Sequence, residues 1–271
     1  MRIAVGLEYL GTAYAGWQRQ LVLPSVQAEV ERALSLVADH PVVTACAGRT
    51  DTGVHATGQV IHFDTPSVRS ERGWVLGANR YLPPDISINW ARAVADGFHA
   101  RYAAMNRSYR YLILNAPVRS ALWAGRACLR HAPLDAERMH QSLQCLVGRH
   151  DFSSFRAAEC QSVSTVRRLD AIRVVRQGPL IVLDITANAF LHHMVRNIVG
   201  AALVVGEGSE PPSWIAALLA ARDRTQAGVT APAAGLYFQS VRYSYGAGVP
   251  EGAGAGQSAI ISALPPREGE R

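Results

Sequence analysis

Residues 46–63 read CAGRTDTGVHATGQVIHF. Strand-like residues at 42–47 and 57–64 flank a loop that crowds Arg49, Thr50, Asp51, Thr52 and His55 together. Asp51-Thr52-Gly53 is the tripeptide of aspartic proteases, which need two carboxylates sharing one proton. The chain has a single D-T-G, and Arg49 two residues earlier favours the ionised carboxylate, the wrong state for a shared proton. A second reading is a plain turn, with Gly53 at positive φ and Asp51 making an Asx-type bond. A third is one ionised aspartate acting at an electrophilic carbon, such as a sugar C1′ or an activated ring carbon. Local sequence argues against the first and leaves the other two open.

The elements on either side of this loop form an α+β pattern. Ile3, Val5, Leu7 and Tyr9 alternate as in a first strand, and the Gly-rich loop YLGTAYAGWQRQ follows. Val26, Val30, Leu34 and Val37 have helical spacing behind a Ser25 cap. A helix at 70–81 and a strand at 86–94 complete the first half, residues 1–105. The second half, 106–245, resumes with a strand at 108–115. It continues with a helix at 135–147 capped by Asp135 and closed by Gly148, and with a hairpin at 168–187 turning at Gln177-Gly178. The segment 191–205 is amphipathic: Leu191, Met194, Val195, Ile198, Ala202 and Val205 share a face, with His192, His193, Arg196 and Asn197 off it. A short helix at 213–222 and a strand at 236–243 follow. The Gly/Ala/Pro-rich tail, 246–271, reads as disordered.

Composition narrows the chemistry. With 271 residues the chain can bury a sizeable core, and a mean hydropathy of +0.04 is ordinary for a globular protein. No apolar run approaches the roughly 20 residues of a membrane span. The N-terminus lacks the apolar core of a secretory signal, so a cytoplasmic protein is expected. Cys46, Cys128, Cys145 and Cys160 form no C-x-x-C pair or zinc spacing and read as reduced thiols. All 27 basic residues are arginine, and the net charge is +6. The lack of lysine excludes Schiff-base, Walker-type and Ser–Lys chemistry. Guanidinium groups clasp phosphate and stack on bases, so the surplus points to a polyanionic partner.

Several blocks, taken together in order, carry a resemblance. EYLGTAYAGWQRQ, CAGRTDTGVHATGQVIHF, FHARYAAMNRSYRYLILN, HDFSSFRAAECQS, ANAFLHHMVRNIVG and AAGLYF resemble the tRNA pseudouridine synthase A family, and the likeness spans roughly residues 2–243. It implies an isomerase that converts uridine to pseudouridine at nucleotides 38, 39 and 40 of the tRNA anticodon stem-loop, without cofactor or metal. It also implies a homodimer, and two similar α+β halves sharing a continuous antiparallel sheet with the active-site cleft between them. A non-catalytic RNA-binding module is the alternative.

By the resemblance Asp51 is the catalytic aspartate, acting at C1′ of the ribose, at C6 of the uracil, or by assisting departure of the base. Arg49 flips the target nucleotide. Tyr109 stacks on the flipped uracil, and its hydroxyl is a candidate acceptor for the C5 proton, whereas Tyr111 reads as a core aromatic. Arg196 pairs with the aspartate and keeps it ionised. Phe98, His99, Ala100, Arg101 and Tyr102 match one tRNA-contact segment, and Glu159, Cys160, Gln161, Ser162 and Val163 another. The family often has a basic residue where Val163 stands. Arg69, Arg107 and Arg110 are expected phosphate contacts. His192 and His193 are adjacent, which suits neither a helical metal pair nor a triad, and they are expected to pack or to touch RNA.

Overall fold

The alternating residues of the N-terminus form strand β1, Arg2–Tyr9, in the computed structural model, which describes residues 1–250. The tail expected to be disordered lies outside the described residues from 251 onward. Of its first residues, Ala247 and Val249 pack against the N-terminal core. Helix α1, Val26–Ala38, begins where the Ser25 hydroxyl accepts the Ala28 N–H. Strand β2 is Ala45–Cys46 alone, shorter than the expected 42–47. The reason is local: the Val42 N–H donates to the Ser35 hydroxyl and the Thr44 N–H to the Glu31 carboxylate, so α1 takes the groups a strand would need. Strand β3 is His55–Asp64, α2 is Glu71–Tyr81 behind a Ser70 cap, and β4 is Ile86–Val94.

The second half opens with β5, Asn106–Asn115, and β6, Cys128–Arg130. Helix α3, Ala136–Leu143, is shorter than its apolar spacing predicts. The chain tightens into a 3-10 turn at Gln144–Leu146, and Gly148, at φ +111°, opens strand β7, Gly148–Asp151. Strands β8, Val166–Gln177, and β9, Leu180–Ala187, form the expected hairpin. Its turn is Gly178-Pro179, one residue later than expected, with Gly178 supplying the positive φ. Helices α4, Met194–Gly206, and α5, Trp214–Ala221, precede β10, Leu236–Arg242.

The ten strands of the described residues join one sheet, in the order β4-β1-β3-β10-β5-β9-β8-β7, with β2 on β3 and β6 on β5. It is antiparallel apart from two short parallel pairings, β5 with β6 and β3 with β10. Thus the last strand sits mid-sheet, between β3 of the first half and β5 of the second. Two cores lie on the helix-bearing face. One packs Ile3, Val5 and Leu7 against Val30 and Leu34 of α1 and Trp74 of α2. The other packs Tyr111, Ile113 and Leu183 against Met139 of α3 and Ile198 and Ala202 of α4. Tyr109 touches both. On the opposite face Trp123 and Ala127 cover Leu112, Val182 and Tyr237.

Glu31 is almost wholly buried, and it ties α1 to the approach of the Asp51 loop. Its carboxylate accepts from Gln27 Nε2 at 2.9 Å, Thr44 N at 2.8 Å and Thr44 Oγ1 at 3.0 Å, and it pairs with Arg19. Glu31→Ala leaves those donors buried without an acceptor and is expected to cost about 2–3 kcal/mol. Urea denaturation monitored by circular dichroism measures it, and a loss below about 0.5 kcal/mol contradicts the role assigned to Glu31.

Candidate active site

The loop bearing Asp51 is held from beneath by the Gly-rich loop after β1. The Trp17 N–H donates to Thr50 O at 3.0 Å, the Gly53 N–H to Tyr14 O at 3.4 Å, and the Thr50 hydroxyl meets the Tyr9 hydroxyl at 2.8 Å. Contact is so close that a Cβ on Gly11 would lie 1.9 Å from Val54 O, and one on Gly16, at φ +95°, 2.7 Å from Thr50 O. Asp51 to Val54 form a four-residue turn, closed by the Val54 N–H on Asp51 O at 3.1 Å, with Gly53 at φ +76°. The turn reading of D-T-G is therefore correct for the backbone. Buried His55 locks the far end: its Nδ1 accepts from Gly11 N at 2.9 Å, so its Nε2 carries the proton donated to Ala234 O at 3.1 Å. Burial holds the His55 pKa below the usual histidine range, which suits this neutral strut.

Across from this turn lies the start of α4. Asn197, fully buried, donates to Phe155 O at 2.8 Å and accepts from Thr230 Oγ1 at 2.7 Å and Arg224 Nη2 at 3.1 Å. Arg196 donates through Nε to Ala231 O at 2.8 Å, leaving its other end to face Asp51. Three cationic or basic nitrogens surround the carboxylate: Arg196 Nη1 lies 3.6 Å and His193 Nε2 3.3 Å from Oδ2, and His192 Nε2 lies 3.4 Å from Oδ1. These separations exceed the roughly 2.7–2.9 Å of a tight charge-assisted hydrogen bond. The carboxylate is oriented without being locked, and its side chain keeps 29% of its exposure. No carboxylate is among these partners, the opposite of a protease dyad.

Tyr109 projects between the two cores, its ring edge-on to Phe190 at 4.9 Å and to Phe238 at 5.1 Å. Burial, with the Asp51 charge adding to it, pushes the phenol pKa well above its ordinary value. Tyr111 is fully buried, as a core aromatic should be, and donates to Pro232 O at 2.7 Å. Arg49 is exposed and makes no hydrogen bond or ion pair among the described residues.

The expected RNA contacts divide. Arg101, Tyr102 and Arg69 are exposed, and Glu159, Gln161 and Val163 stand out on a loop that Arg167 braces through Ser162 Oγ and Ser164 O, while Cys160 leans on the core. His99 is half-buried, against His62 and Tyr102. Four others belong to the framework. Phe98 and Ala100 are core residues, buried under Tyr243 and His62. Arg110 is buried and grips Asp184 with two bonds, at 2.7 and 2.9 Å. Arg107 spends its guanidinium on the carbonyls of Ala47, Arg101, Ala104 and Asn188. Alternation along β5 predicts that Arg110 faces away from Tyr109, but a backbone-binding arginine looks identical in sequence to a phosphate-binding one. The sequence reading also missed His192 and His193 as neighbours of Asp51. His193 adopts a left-handed backbone, φ +58°, and stacks on His192 with centroids 4.0 Å apart.

Known proteins are similar to this chain along most of its length. The tRNA pseudouridine synthase family matches residues 7–103 and 143–244. A protein of Aeromonas salmonicida called tRNA pseudouridine synthase A is 58% identical over 243 residues, 90% of either chain. One of the same name from Methylococcus capsulatus is 54% identical over 265 residues, 98% of this chain and 96% of that one. Among solved structures, a Cbf5-Nop10-Gar1 complex overlaps at TM-score 0.32 and 13% identity, over 74% of this chain and 45% of that one, too little to carry an argument. This chain belongs to the tRNA pseudouridine synthase family. Among the described residues, no helix is long and apolar enough to cross a membrane.

His62, buried beneath the 98–102 segment, accepts the Ala100 N–H at 3.2 Å, and burial with His99 and Arg2 nearby pushes its pKa down to about 4 from an ordinary 6.5. Between these values the unfolded chain binds a proton that the folded chain refuses, so stability falls as pH drops from about 6.5 toward about 4. Urea titrations across that window should show the fall, and His62→Gln should make it shallower. An unaltered slope in the variant counts against a neutral His62.

Proposed function

We propose that this chain isomerises uridine to pseudouridine in tRNA, at nucleotides 38, 39 and 40 of the anticodon stem-loop, with Asp51 as its catalytic carboxylate and no cofactor. The supporting observation is Asp51 on a rigidly held turn, 3.6 Å from Arg196 of the other half, with Tyr109 packed against both cores nearby. The N1–C1′ bond breaks, the uracil turns, C5 bonds to C1′, the C5 proton leaves and N1 gains one. Asp51 acts at C1′ or C6, or assists departure of the base. Arg196, a guanidinium cation 3.6 Å away, orients the carboxylate. Tyr109 meets the flipped uracil as a neutral phenol, because its raised pKa excludes a phenolate near neutral pH. Arg49, which makes no hydrogen bond or ion pair among the described residues, takes the place vacated by the flipped nucleotide. The halves 1–105 and 106–245 wall the cleft, and the enzyme works as a cytoplasmic homodimer with tRNA touching both subunits.

RNA lies along Arg69, His99, Arg101, Tyr102 and the 159–163 loop, whereas Phe98, Ala100, Arg107 and Arg110 hold that surface in shape. Arg101→Ala should lower the salt slope of tRNA binding by about one without altering the thermal midpoint. Arg107→Ala should lower the midpoint instead. Filter binding across a salt series and thermal denaturation separate the two, and the reverse pattern would exchange their roles.

Tritium release from C5-tritiated uridine in unmodified tRNA tests the chemistry. The wild type should release tritium. Asp51→Asn should bind tRNA and release none, and Arg196→Ala should lose about a hundredfold or more in turnover with little change in tRNA affinity. Wild-type protein that binds tRNA but releases no tritium would instead be a non-catalytic RNA-binding module.

A further inference from the structure

The two imidazoles beside Asp51 have no part in the isomerisation as derived above. Among the described residues, Asp51, His192 and His193 form the one group of three potential ligands whose donor atoms all lie within 4.8 Å of one another. Both Nε2 atoms face the carboxylate, at 3.4 and 3.3 Å. A tetrahedral ion with bonds of about 2.0–2.2 Å places neighbouring ligand atoms about 3.4 Å apart. His192 meets Oδ1 and His193 meets Oδ2 at that spacing, so an ion held by one carboxylate oxygen and both rings needs only a small turn of the carboxylate. The arrangement is held in place: the Asp51 turn is clamped by the Gly11–Trp17 loop, and the left-handed backbone of His193 brings two adjacent rings to one point. A helix would splay neighbouring side chains about 100° apart, which is why adjacency in sequence argues against a metal pair.

We propose that Asp51, His192 and His193 form an inhibitory site for a borderline transition-metal ion, zinc(II) above all. Two imidazoles and a carboxylate select such ions over magnesium and calcium, which favour all-oxygen shells. Three protein ligands leave a fourth position for water, and Asp51 and the histidines are all partly exposed, so an ion can enter. Once bound, it engages the carboxylate that the reaction uses and occupies the place of the base. Arg196, 3.6 Å from Asp51 and anchored on Ala231 O, sets a like charge beside the ion and limits its affinity. Binding stands on the geometry alone; inhibition rests on the isomerase reading.

The test titrates cobalt(II) and zinc(II) into the full-length protein without tRNA. Expected are the visible bands of tetrahedral cobalt, saturating at one ion per chain and displaced by zinc but not by magnesium. His192→Gln, and His193→Asn, which tolerates the left-handed backbone, should each weaken binding by about tenfold or more. Arg196→Gln should tighten it by roughly threefold to tenfold by removing the like charge. Absent bands, or unchanged affinity in a His192→Gln/His193→Asn double variant with a native thermal midpoint, overturn the site. If that variant does not fold, Arg196→Gln decides, and affinity unchanged there overturns it. Tritium release should fall as zinc fills the site and return with a chelator. Full release at saturating zinc overturns the inhibition. Wild-type protein that releases none in zinc-free buffer defeats the isomerase reading and leaves the metal titration standing.

Discussion

The insertion of β10 between β3 and β5 is the constraint on which the site depends. Only two residue pairs, Tyr237 with His55 and Phe238 with Ala56, join β10 to β3, yet the sheet is continuous only through them. Side chains strengthen the seam. The His55 ring lies 4.6 Å from that of Tyr237 and its Nε2 donates to Ala234 O, while Phe238 and Val241 enter the first core and Leu236 the second. With this seam closed, the turn before β3 lies opposite the start of α4. The carboxylate of one half and the guanidinium of the other then meet at fixed distance.

Electrostatics and backbone geometry cooperate there. Arg196 brings a guanidinium cation to the site. His193 is held toward its neutral form, because burial, His192 and Arg196 together outweigh the pull of Asp51. Asp51 therefore has one guanidinium cation and two softer neighbours, each too far for a tight bond. A carboxylate so placed stays accessible to an incoming electrophile, whereas a bidentate clasp such as Arg110 on Asp184 would immobilise it. The same arginine type thus serves two ends in one protein, and the distance decides which.

Much of the fold was legible because its signals are local. The alternation of β1, the serine caps of α1 and α2, and the hairpin at 168–187 follow from residues within a few positions of one another. What escaped was set by distant partners. Strand β2 is short because Glu31 and Ser35 take its N–H groups. Strands β6 and β7 are too brief to alternate and exist only by pairing with β5 and β8. The same holds for the surface. Arg101 and Arg107 are indistinguishable as letters, but one stands in solvent and the other is folded over four carbonyls.

The sequence alone determined the class of chemistry. One D-T-G excludes a self-contained protease dyad, the lack of lysine removes amine catalysis, and the ordered blocks around Asp51, Tyr109 and Arg196 carry the family. Tertiary structure alone decided how those residues meet, because Asp51 and Arg196 lie about 145 positions apart, in different halves of the chain, and only the folded sheet brings them within 3.6 Å. It also decided the surroundings of the carboxylate. A left-handed residue at the head of α4 turns two adjacent histidines onto Asp51, and a single positive φ inside a run of ordinary residues leaves no mark in the letters.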